Sequence, residues 1–379
     1  MRLCYVLLSP TFGMHQYTAD YANRMAEAGH DIHLITTTTY PADRYAPNIT
    51  IHTPITTHNT GFNLDALRST QYAVQTLSRL LQELQPNVTH FTGPHLWNPL
   101  LLRRLRRAGI PTIHTLHDLD PHPGSPYGPL LHLWNGAVLR YADHILVHGQ
   151  RYKERLARYP ITYLSLLHLF LGYELSSKFE VSDHEPELPA PLPLSPSPSL
   201  PFSSTLTVLF FGRLEIYKGV TILLEAWARY KAMGGSGALL LAGSGDLPAL
   251  WPGDLPPDTE FHNRRIEDAE ALQLFQRCSL VVLPYIGATQ SALIPAAYAF
   301  GKPVIATCSG ALPEYVVEGE TGWLVPPGDP PALAATLSTA LSDPARLAAM
   351  GKAGRVWYNR ERIEELKTLL ALYRFLARE

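Results

Sequence analysis

The segment FFGRLEIYKG, residues 210–219, carries the pattern that decides the fold of the second half of this chain. The apolar run Thr207–Phe211 predicts a short buried strand, and Gly212 lets the chain turn directly after it. Arg213 and Lys218 then follow within one short loop. In an open α/β sheet, ligands bind beyond the carboxyl ends of the strands, and two cations there suit a diphosphate. Two surface basic residues flanking a turn fit the same spacing equally well.

Strands and helices alternate on both sides of this segment. Downstream, apolar runs predict strands at Ala238–Ala242, Leu280–Pro284, Pro303–Thr307 and Gly322–Val325. Upstream, they predict strands at Leu3–Ser9, Asp31–Thr37, Val88–Phe91, Thr112–Leu116 and His144–Val147. Between them, stretches such as His15–Ala28 and 64–84 have helical spacing. Strands separated by helices indicate βαβ units and parallel sheets, so the expected fold class is α/β.

Length and composition divide the chain into two α/β domains. A chain of 379 residues is long enough for two cores. Between the halves, a segment rich in proline, serine and leucine cannot form a regular helix. We expect a stiff linker there, with a ligand for a proline-binding domain as the alternative. The predicted organisation is an N-terminal domain at 1–185, the linker at 186–204, a C-terminal domain at 205–355 and a C-terminal helix at 356–379 that can cross back to the N-terminal domain.

Charge and cysteine content argue against several classes of function. The formal net charge of −2 offers no overall attraction to nucleic acid. Three cysteines, Cys4, Cys278 and Cys308, are too few and too scattered for a disulfide framework or a cysteine zinc site. No apolar run is long enough to cross a bilayer, and the N-terminal run is too short for a signal peptide. We therefore expect a cytoplasmic protein that does not bind nucleic acid.

Two further loops after predicted strands have features of ligand sites. After Leu283, a loop through Gly287 and Ser291 leads into an apolar helix that runs to Phe300. Free N–H groups at the start of that helix would attract an anion. Residues 310–314, GALPE, form a tight turn into another short helix.

Four motifs together give a resemblance to a known family. They are GRLEIYKG at 212–219, LLLAGSGDL at 239–247, LPYIGATQSALIPAAYAFGKPVIAT at 283–307 and SGALPEYVVEGETGWLVPPGD at 309–329. In this order and spacing they resemble the C-terminal domain of family 4 glycosyltransferases of the GT-B fold, over nearly all of Leu206–Leu341. The N-terminal half is similar more loosely, through Gly13, Gly29-His30 and the segment Thr115–Asp118. The resemblance implies two Rossmann-like domains whose parallel sheets face each other across a cleft.

The resemblance also implies an activity and a set of site residues. Members of the family are retaining glycosyltransferases that move a sugar from a UDP- or GDP-sugar to a hydroxyl acceptor, with no metal or other cofactor. The acceptors of many members are lipid-linked or cell-envelope glycans. His117, Arg213 and Lys218 correspond to catalytic residues, with the histidine near the donor sugar. The implied donor-binding residues are Gly13, Gly212, Arg213, Lys218, Ile266, Thr289, Gln290, Ser291, Ala292 and Leu293.

The chain departs from the family at two glutamates with seven residues between them. In the family the first contacts the donor sugar and the second contacts the ribose. Aligned through Gly301-Lys302-Pro303, these positions hold Ala288 and Ala296. Gln290 and Ser291 are expected to supply hydrogen bonds to the sugar instead. The lost ribose contact is worth about 1–3 kcal/mol, so weaker donor binding or another polar partner is expected. Glu314 matches a further family glutamate, or it only caps a helix.

Histidines in the N-terminal half suggest an acceptor side of the cleft. His90 lies in a predicted strand, and His95 follows that strand near Trp97. Together with Asp118, the two histidines are candidate acceptor-side residues. Packing explains an aromatic side chain next to histidines equally well. A metal site is a competing interpretation, with candidate ligands His114, His117, His122, Asp118 and Asp120. No metal is our expectation, because the family needs none.

A basic, partly apolar helix suggests contact with a membrane. The segment LLLRRLRR holds Leu100, Leu101 and Leu102 beside four arginines, Arg103, Arg104, Arg106 and Arg107. Such a face can lie on an anionic inner membrane surface as a peripheral contact. A solvated helix face fits the same residues.

Two other functions remain compatible with this fold. A nucleotide-sugar epimerase would convert a UDP-sugar without an acceptor, and fold alone does not separate it from a transferase. A phosphorylase is disfavoured, since phosphorylases of this fold have a much longer chain and a lysine-bound pyridoxal phosphate. The absence of both glutamates also motivates a degenerate subunit that binds a partner transferase.

Overall fold

The computed structural model describes residues 1–9, 12–56, 64–120, 128–165 and 206–379. These residues form two compact units. The N-terminal unit contains the described residues up to 165 together with Thr289–Ala292 and Glu364–Glu379. The C-terminal unit contains residues 206–288 and Leu293–Ile363. The predicted linker at 186–204 lies outside the described residues.

The N-terminal unit is built on a parallel sheet of seven strands. In chain order these are β1 Arg2–Val6, β2 Asp31–Thr37, β3 Thr50–Ile55, β4 Val88–Phe91, β5 Thr112–Leu116, β6 His144–Val147 and β7 Ile161–Tyr163, arranged β3-β2-β1-β4-β5-β6-β7. The connecting helices are α1 Phe12–Glu27, α2 Leu64–Leu84, α3 Asn98–Arg107, α4 Gly128–Tyr141 and α5 Gln150–Arg155. The strand order reverses between β1 and β4, as in a Rossmann fold.

The C-terminal unit repeats this arrangement with six parallel strands. They are β8 Thr207–Phe211, β9 Ala238–Ala242, β10 Thr259–His262, β11 Leu280–Leu283, β12 Val304–Thr307 and β13 Gly322–Val325, in the order β10-β9-β8-β11-β12-β13. The helices are α6 Val220–Ala232, α7 Leu247–Leu250, α8 Asp268–Arg277, α9 Leu293–Ala299, α10 Pro330–Leu341 and α11 Pro344–Ala377. Short 3₁₀ helices occur at Ala42–Arg44, Ile216–Lys218 and Leu312–Tyr315.

The central strands of both sheets are buried along their whole length, as is typical of parallel sheets. The central strands β4, β5, β6, β11 and β12 are buried at every residue. A parallel strand covered on both faces needs such an uninterrupted apolar or internally hydrogen-bonded sequence. In the C-terminal unit, the side chains of Trp227, Phe210 and Leu337 are completely buried in the core between the sheet and its helices. The two parallel sheets confirm the predicted α/β class.

The C-terminal end of α11 belongs to the N-terminal unit. Arg24 Nη2 lies 2.8 Å from Glu365 Oε2 and 2.7 Å from Asp20 Oδ2. The Tyr21 hydroxyl donates to the other Glu365 oxygen, at 2.9 Å. All of these side chains are buried. The domain boundary predicted at 355/356 therefore falls inside one continuous helix, since the two units divide α11 at Glu364.

Among the described residues, no helix is both long enough and apolar enough to span a membrane.

Candidate functional site

The loop after β8 is shaped by Gly212. Its backbone φ is +119°, which L side chains rarely adopt, and its N–H donates to Ala242 O at 2.8 Å. A Cβ built at this position would lie 2.6 Å from Lys218 Nζ. Glycine therefore lets the chain turn at the end of β8 while the lysine amine folds back over it.

Backbone hydrogen bonds join this loop to the loops after the neighbouring strands. Leu214 N donates to Ser244 O at 2.8 Å, which connects it to the loop after β9. Ile286 N donates to Tyr217 O at 2.7 Å, which connects it to the loop after β11. The strand order reverses between β8 and β11, so these loops surround the crevice in which open α/β sheets bind ligands.

Arg213 and Lys218 differ strongly in environment. The Arg213 side chain is 71% exposed and its Nη1 lies 2.8 Å from Glu215 Oε1. The Lys218 residue is half-buried, and its Nζ lies 5.8 Å from the centre of the Tyr285 ring. Burial lowers the pKa of Lys218 from 10.5 to about 8; Glu215 acts in the opposite direction, and Arg213 lowers it further. The loop thus offers an exposed guanidinium beside an amine whose pKa is lowered by burial.

The predicted phosphate loop after β11 is divided between the two units. Thr289–Ala292 belong to the N-terminal unit, whereas Leu293 begins helix α9 in the C-terminal unit. Thr289 and Ser291 are each 7% exposed. The predicted helix to Phe300 is one residue shorter, and its seven residues include Pro295.

The loop after β10 contains Ile266, the residue predicted to lie near the donor base. Ile266 is half-buried. Nearby, Asn263 Oδ1 accepts a hydrogen bond from Gly245 N at 3.1 Å. The two terminal nitrogens of Arg264 donate to the two carboxylate oxygens of Glu270. The side chains beside Ile266 are thus engaged within the unit, which leaves the backbone of this loop as the available surface.

The two alanines at the family's glutamate positions lie in different environments. Ala288 is half-buried, and its N–H donates to Ser309 Oγ at 2.9 Å. Ala296 is completely buried inside α9. Glu314 is in the 3₁₀ helix Leu312–Tyr315, within its first turn. A carboxylate at position 296 would have to be buried, so the alanine agrees with the packing around it.

His117 lies directly after β5 and is 7% exposed. Its Nε2 donates to Thr92 O at 2.8 Å, because a carbonyl oxygen can only accept. Burial lowers the pKa of His117, although the Thr92 carbonyl and Asp118 oppose the shift. Its Nδ1 has no hydrogen-bond partner within the described part of the chain. In a neutral imidazole this nitrogen carries a lone pair, and it is buried in this conformation.

Two family models match this chain. One, "Glycosyl transferases group 1", matches residues 205–343, and the other, "Glycosyl transferase 4-like domain", matches residues 12–162. The two matches together span most of the chain. The chain belongs to the family 4 glycosyltransferases. The family, the GT-B fold and the enzyme class predicted from the motifs are thereby confirmed.

Individual relatives agree with this assignment. A D-inositol 3-phosphate glycosyltransferase of Corynebacterium glutamicum is 26% identical over 90% of this chain and 86% of its own length. A sucrose-phosphate synthase structure from Thermosynechococcus elongatus covers 100% of both chains with a TM-score of 0.72 and 19% identity. The structure of Anabaena Alr3699/HepE, in complex with UDP and glucose, covers 98% of this chain and 99% of its own with a TM-score of 0.65 and 16% identity. These structures share the fold.

Two predicted acceptor-side histidines of this glycosyltransferase are engaged internally. His90 lies within β4, and its two ring nitrogens bond to Tyr373 and Thr115, each at 2.8 Å. His95 is completely buried, its Nδ1 accepts from Trp97 N at 3.3 Å, and burial lowers its pKa to about 4. Both side chains are packed within the unit, and among the described residues His95 Nε2 has no hydrogen-bond partner. Their acceptor-side role stays a prediction. Asp118 remains half-buried at the end of β5.

The remaining site residues are placed as follows. Gly13 is in the first turn of α1, and a Cβ there would meet nothing within 4 Å. His114 is fully buried in β5, and its Nε2 accepts from Asn98 Nδ2 at 3.0 Å. His122 lies outside the described residues. Within the part of the chain that the structure describes, no group of three histidine, cysteine or acidic side chains is arranged to hold a metal ion.

A directed hydrogen-bond chain, which sequence analysis missed, crosses the core of the N-terminal unit. His148 Nδ1 must donate to Leu164 O, at 3.1 Å. In a neutral imidazole the other nitrogen accepts, so His148 Nε2 receives the Tyr17 hydroxyl at 3.1 Å. Tyr17 in turn accepts from Thr115 Oγ1 at 3.1 Å.

With both histidines neutral and the Tyr17 proton on His148, the same rule assigns a direction to the remaining members. Because Thr115 donates its hydroxyl proton to Tyr17, it must accept from His90 Nε2. A neutral His90 then has no proton on Nδ1, so Nδ1 accepts from the Tyr373 hydroxyl. Tyr373 accepts from the Tyr5 hydroxyl at 2.9 Å. The chain begins at Tyr5 and ends at Leu164 O. The ring of Tyr17, one of its members, lies edge-to-face with that of His117, with the ring centres 4.7 Å apart. The chain therefore connects the last helix to the wall of the His117 site.

Proposed function

We propose that this glycosyltransferase transfers a sugar from a UDP- or GDP-sugar to a hydroxyl acceptor with retention of configuration. The single observation that carries the proposal is the loop at the switch point of the second sheet, where Arg213 and Lys218 stand on one strand–turn segment. The loop's glycine leaves the backbone close to Lys218. A diphosphate is the ligand whose charge and oxygen spacing best suit this pair.

The lowered pKa of Lys218 supports this proposal. Burial depresses its pKa to about 8, so the site lacks enough negative charge in its present state. A bound diphosphate supplies that charge and raises the pKa again. Arg213 can join it at little cost, because its exposed pair with Glu215 is worth about 0–1 kcal/mol.

The transfer step follows from this arrangement. The bond between the sugar C1 and the diphosphate oxygen breaks, and the leaving diphosphate takes the electron pair. Arg213 and Lys218 stabilise that developing charge. The acceptor oxygen bonds to C1 on the face that the leaving group vacates, and its proton passes to an oxygen of the diphosphate. No carboxylate pair is required by this scheme, which suits a chain with Ala288 and Ala296 at the family's glutamate positions.

His117 is proposed to orient the donor sugar. Its free Nδ1 lone pair accepts a hydrogen bond, whereas its Nε2 proton is held by Thr92 O. Gln290, Ser291 and the backbone of 289–293 are the proposed sugar and phosphate contacts, and Ile266 borders the base. Gly13, with open space above it, is proposed to allow close approach of the donor. The donor site then needs neither a metal nor another cofactor.

For the acceptor, and for the place in the cell where it is used, we propose only a general class. The relative from Corynebacterium glutamicum is named a D-inositol 3-phosphate glycosyltransferase. A phosphorylated or lipid-linked hydroxyl acceptor, used in the cytoplasm or at the inner membrane surface, fits the basic helix α3. Its four arginines are Arg103, Arg104, Arg106 and Arg107.

The experiment has two stages. Thermal-shift screening of UDP- and GDP-sugars identifies the donor, since a ligand at 100 times its Kd stabilises the fold by about 2.7 kcal/mol. Nucleotide release is then measured for wild type, Arg213→Ala and a control, Arg229→Ala. Arg229 forms a comparable exposed pair with Glu225, at 2.8 Å. We expect about a 100-fold loss or more for Arg213→Ala, on the order of 3 kcal/mol, and no loss for the control. Equal rates in the two variants would rule out the role of Arg213.

A further inference from the structure

A polar pocket of about 580 Å³ lies between α2 and α3 of the N-terminal unit. On the α2 side it is lined by Gln75, Ser78, Arg79 and Gln82, whose spacing puts them on one helix face. On the α3 side it is lined by Arg104, Arg107 and Ala108. We propose that this pocket binds a phosphate group through Arg79, Arg104 and Arg107, as a site separate from the donor loop.

The basic helix α3 does not present one uniform cationic face. Arg103 lies over the Tyr141 ring, 5.9 Å from its centre, and Arg106 Nη1 donates to Arg140 O at 2.8 Å. These two side chains are thus engaged toward α4. Arg104 and Arg107 instead line the pocket beside α2. The four arginines therefore divide into an internally bonded pair and a pair that faces an open space.

The three pocket arginines have no acidic partner. Within the described part of the chain, neither Arg79 nor Arg104 nor Arg107 forms an ion pair, and no aspartate or glutamate lines the pocket. The C-terminal end of a helix carries about half a negative charge, so the last turn of α3 offsets only a small part of three full positive charges. The uncompensated charge attracts an anion.

The remaining lining residues favour a phosphate over a carboxylate or a chloride. The Gln75 and Gln82 amides are exposed donors within the same pocket. Ser78 is buried, and its hydroxyl proton is bonded to Val74 O. One guanidinium group can donate two parallel hydrogen bonds to two oxygens of a phosphate. Three guanidinium groups around one space therefore match an anion with several oxygens. A phosphomonoester, a diphosphate or the phosphate of a lipid headgroup has this chemistry.

Binding is measured with inorganic pyrophosphate by calorimetry, in a protein that carries Arg213→Ala and Lys218→Ala so that the proposed donor loop does not contribute. The test variant adds Arg104→Gln and the matched control adds Arg106→Gln, which removes the same charge from the same helix. We expect affinity to fall about ten-fold or more for Arg104→Gln and less than two-fold for Arg106→Gln. Equal losses in both variants, or no pyrophosphate binding before either change, would overturn the proposal.

Vesicle flotation distinguishes the source of the phosphate. The same two substitutions are placed in the otherwise wild-type protein and tested on vesicles of phosphatidylglycerol with phosphatidylcholine, and on phosphatidylcholine alone. Loss of flotation on the anionic vesicles by Arg104→Gln alone assigns the pocket to a lipid headgroup. Unchanged flotation, together with the loss of pyrophosphate binding, assigns it to a soluble phosphate. Because the donor loop is disabled in the calorimetry, either result stands whether or not Arg213 acts in transfer.

Discussion

Replacing Tyr373 by phenylalanine tests the direction of the hydrogen-bond chain in the N-terminal unit. The Tyr373 hydroxyl accepts from Tyr5 and donates to His90 Nδ1, and all three side chains are buried. Its removal leaves the Tyr5 proton without an acceptor and His90 Nδ1 without a donor. A buried group left unsatisfied costs about 1–3 kcal/mol, so we expect Tyr373→Phe to lower the free energy of unfolding by about 2–4 kcal/mol.

The control is Tyr5→Phe, which removes the first member of the chain. Tyr373 still donates to His90 in that variant and loses only a hydrogen bond that it accepted. A net loss of about 0.5–1.5 kcal/mol is expected. The double variant should cost less than the sum of the two, because a phenylalanine at position 5 has no proton to leave unsatisfied.

The assay is urea unfolding of the full chain, with the midpoint and slope of each variant compared. A larger loss for Tyr5→Phe than for Tyr373→Phe would refute the assigned direction, and so would strictly additive losses. The result also bears on His117, since the same chain holds the Tyr17 ring against it. A weaker donor interaction in Tyr373→Phe would show that the chain positions the site as well as stabilising the unit.

Three other changes are informative. Lys218 has a pKa of about 8, so above that pH the lysine must take up a proton when a nucleotide diphosphate binds. The affinity should therefore fall as pH rises from about 8 to 10, and Lys218→Arg should remove that dependence in calorimetry. Gly219 has φ +68° and a Cβ there would collide with Pro284 O, so Gly219→Ala should cost more than about 1 kcal/mol in urea unfolding and weaken donor binding. Arg24→Met leaves two buried carboxylates without a cation and should cost about 3–5 kcal/mol; a lack of rescue by adding Glu365→Gln would contradict that explanation.

Central strands were predictable because their sequences are buried and clearly bounded. Val88–Phe91, Thr112–Leu116 and Thr207–Phe211 have the predicted limits. The edge strand Gly322–Val325 has the predicted limits, but two other edge strands were missed: Thr50–Ile55 contains a proline, and Thr259–His262 is half polar. Edge strands pair on one side only, so their sequences need not be continuously apolar.

The proposed donor loop was visible in the sequence because its glycine and cations are close together in the chain. The roles of the histidines were not, since their partners are distant. His90 is bonded to Tyr373, 283 residues away, and the His117 environment depends on Tyr17. The pocket between α2 and α3 was missed for the same reason. Arg79 was not singled out, and the division of the α3 arginines depends on which helix each one faces.

The place of Glu365 and Tyr373 in the N-terminal unit has a consequence for biosynthesis. Domains of a nascent chain generally fold in the order in which they are made. Here the N-terminal unit is translated first, yet Arg24 and Tyr5 obtain their buried partners only when residues 364–379 have been synthesised. Until then its core carries an incompletely paired guanidinium and an unsatisfied hydroxyl. The C-terminal unit, which is made in the meantime, is therefore expected to fold before the N-terminal unit is complete, and an isolated N-terminal fragment should be unstable when expressed alone.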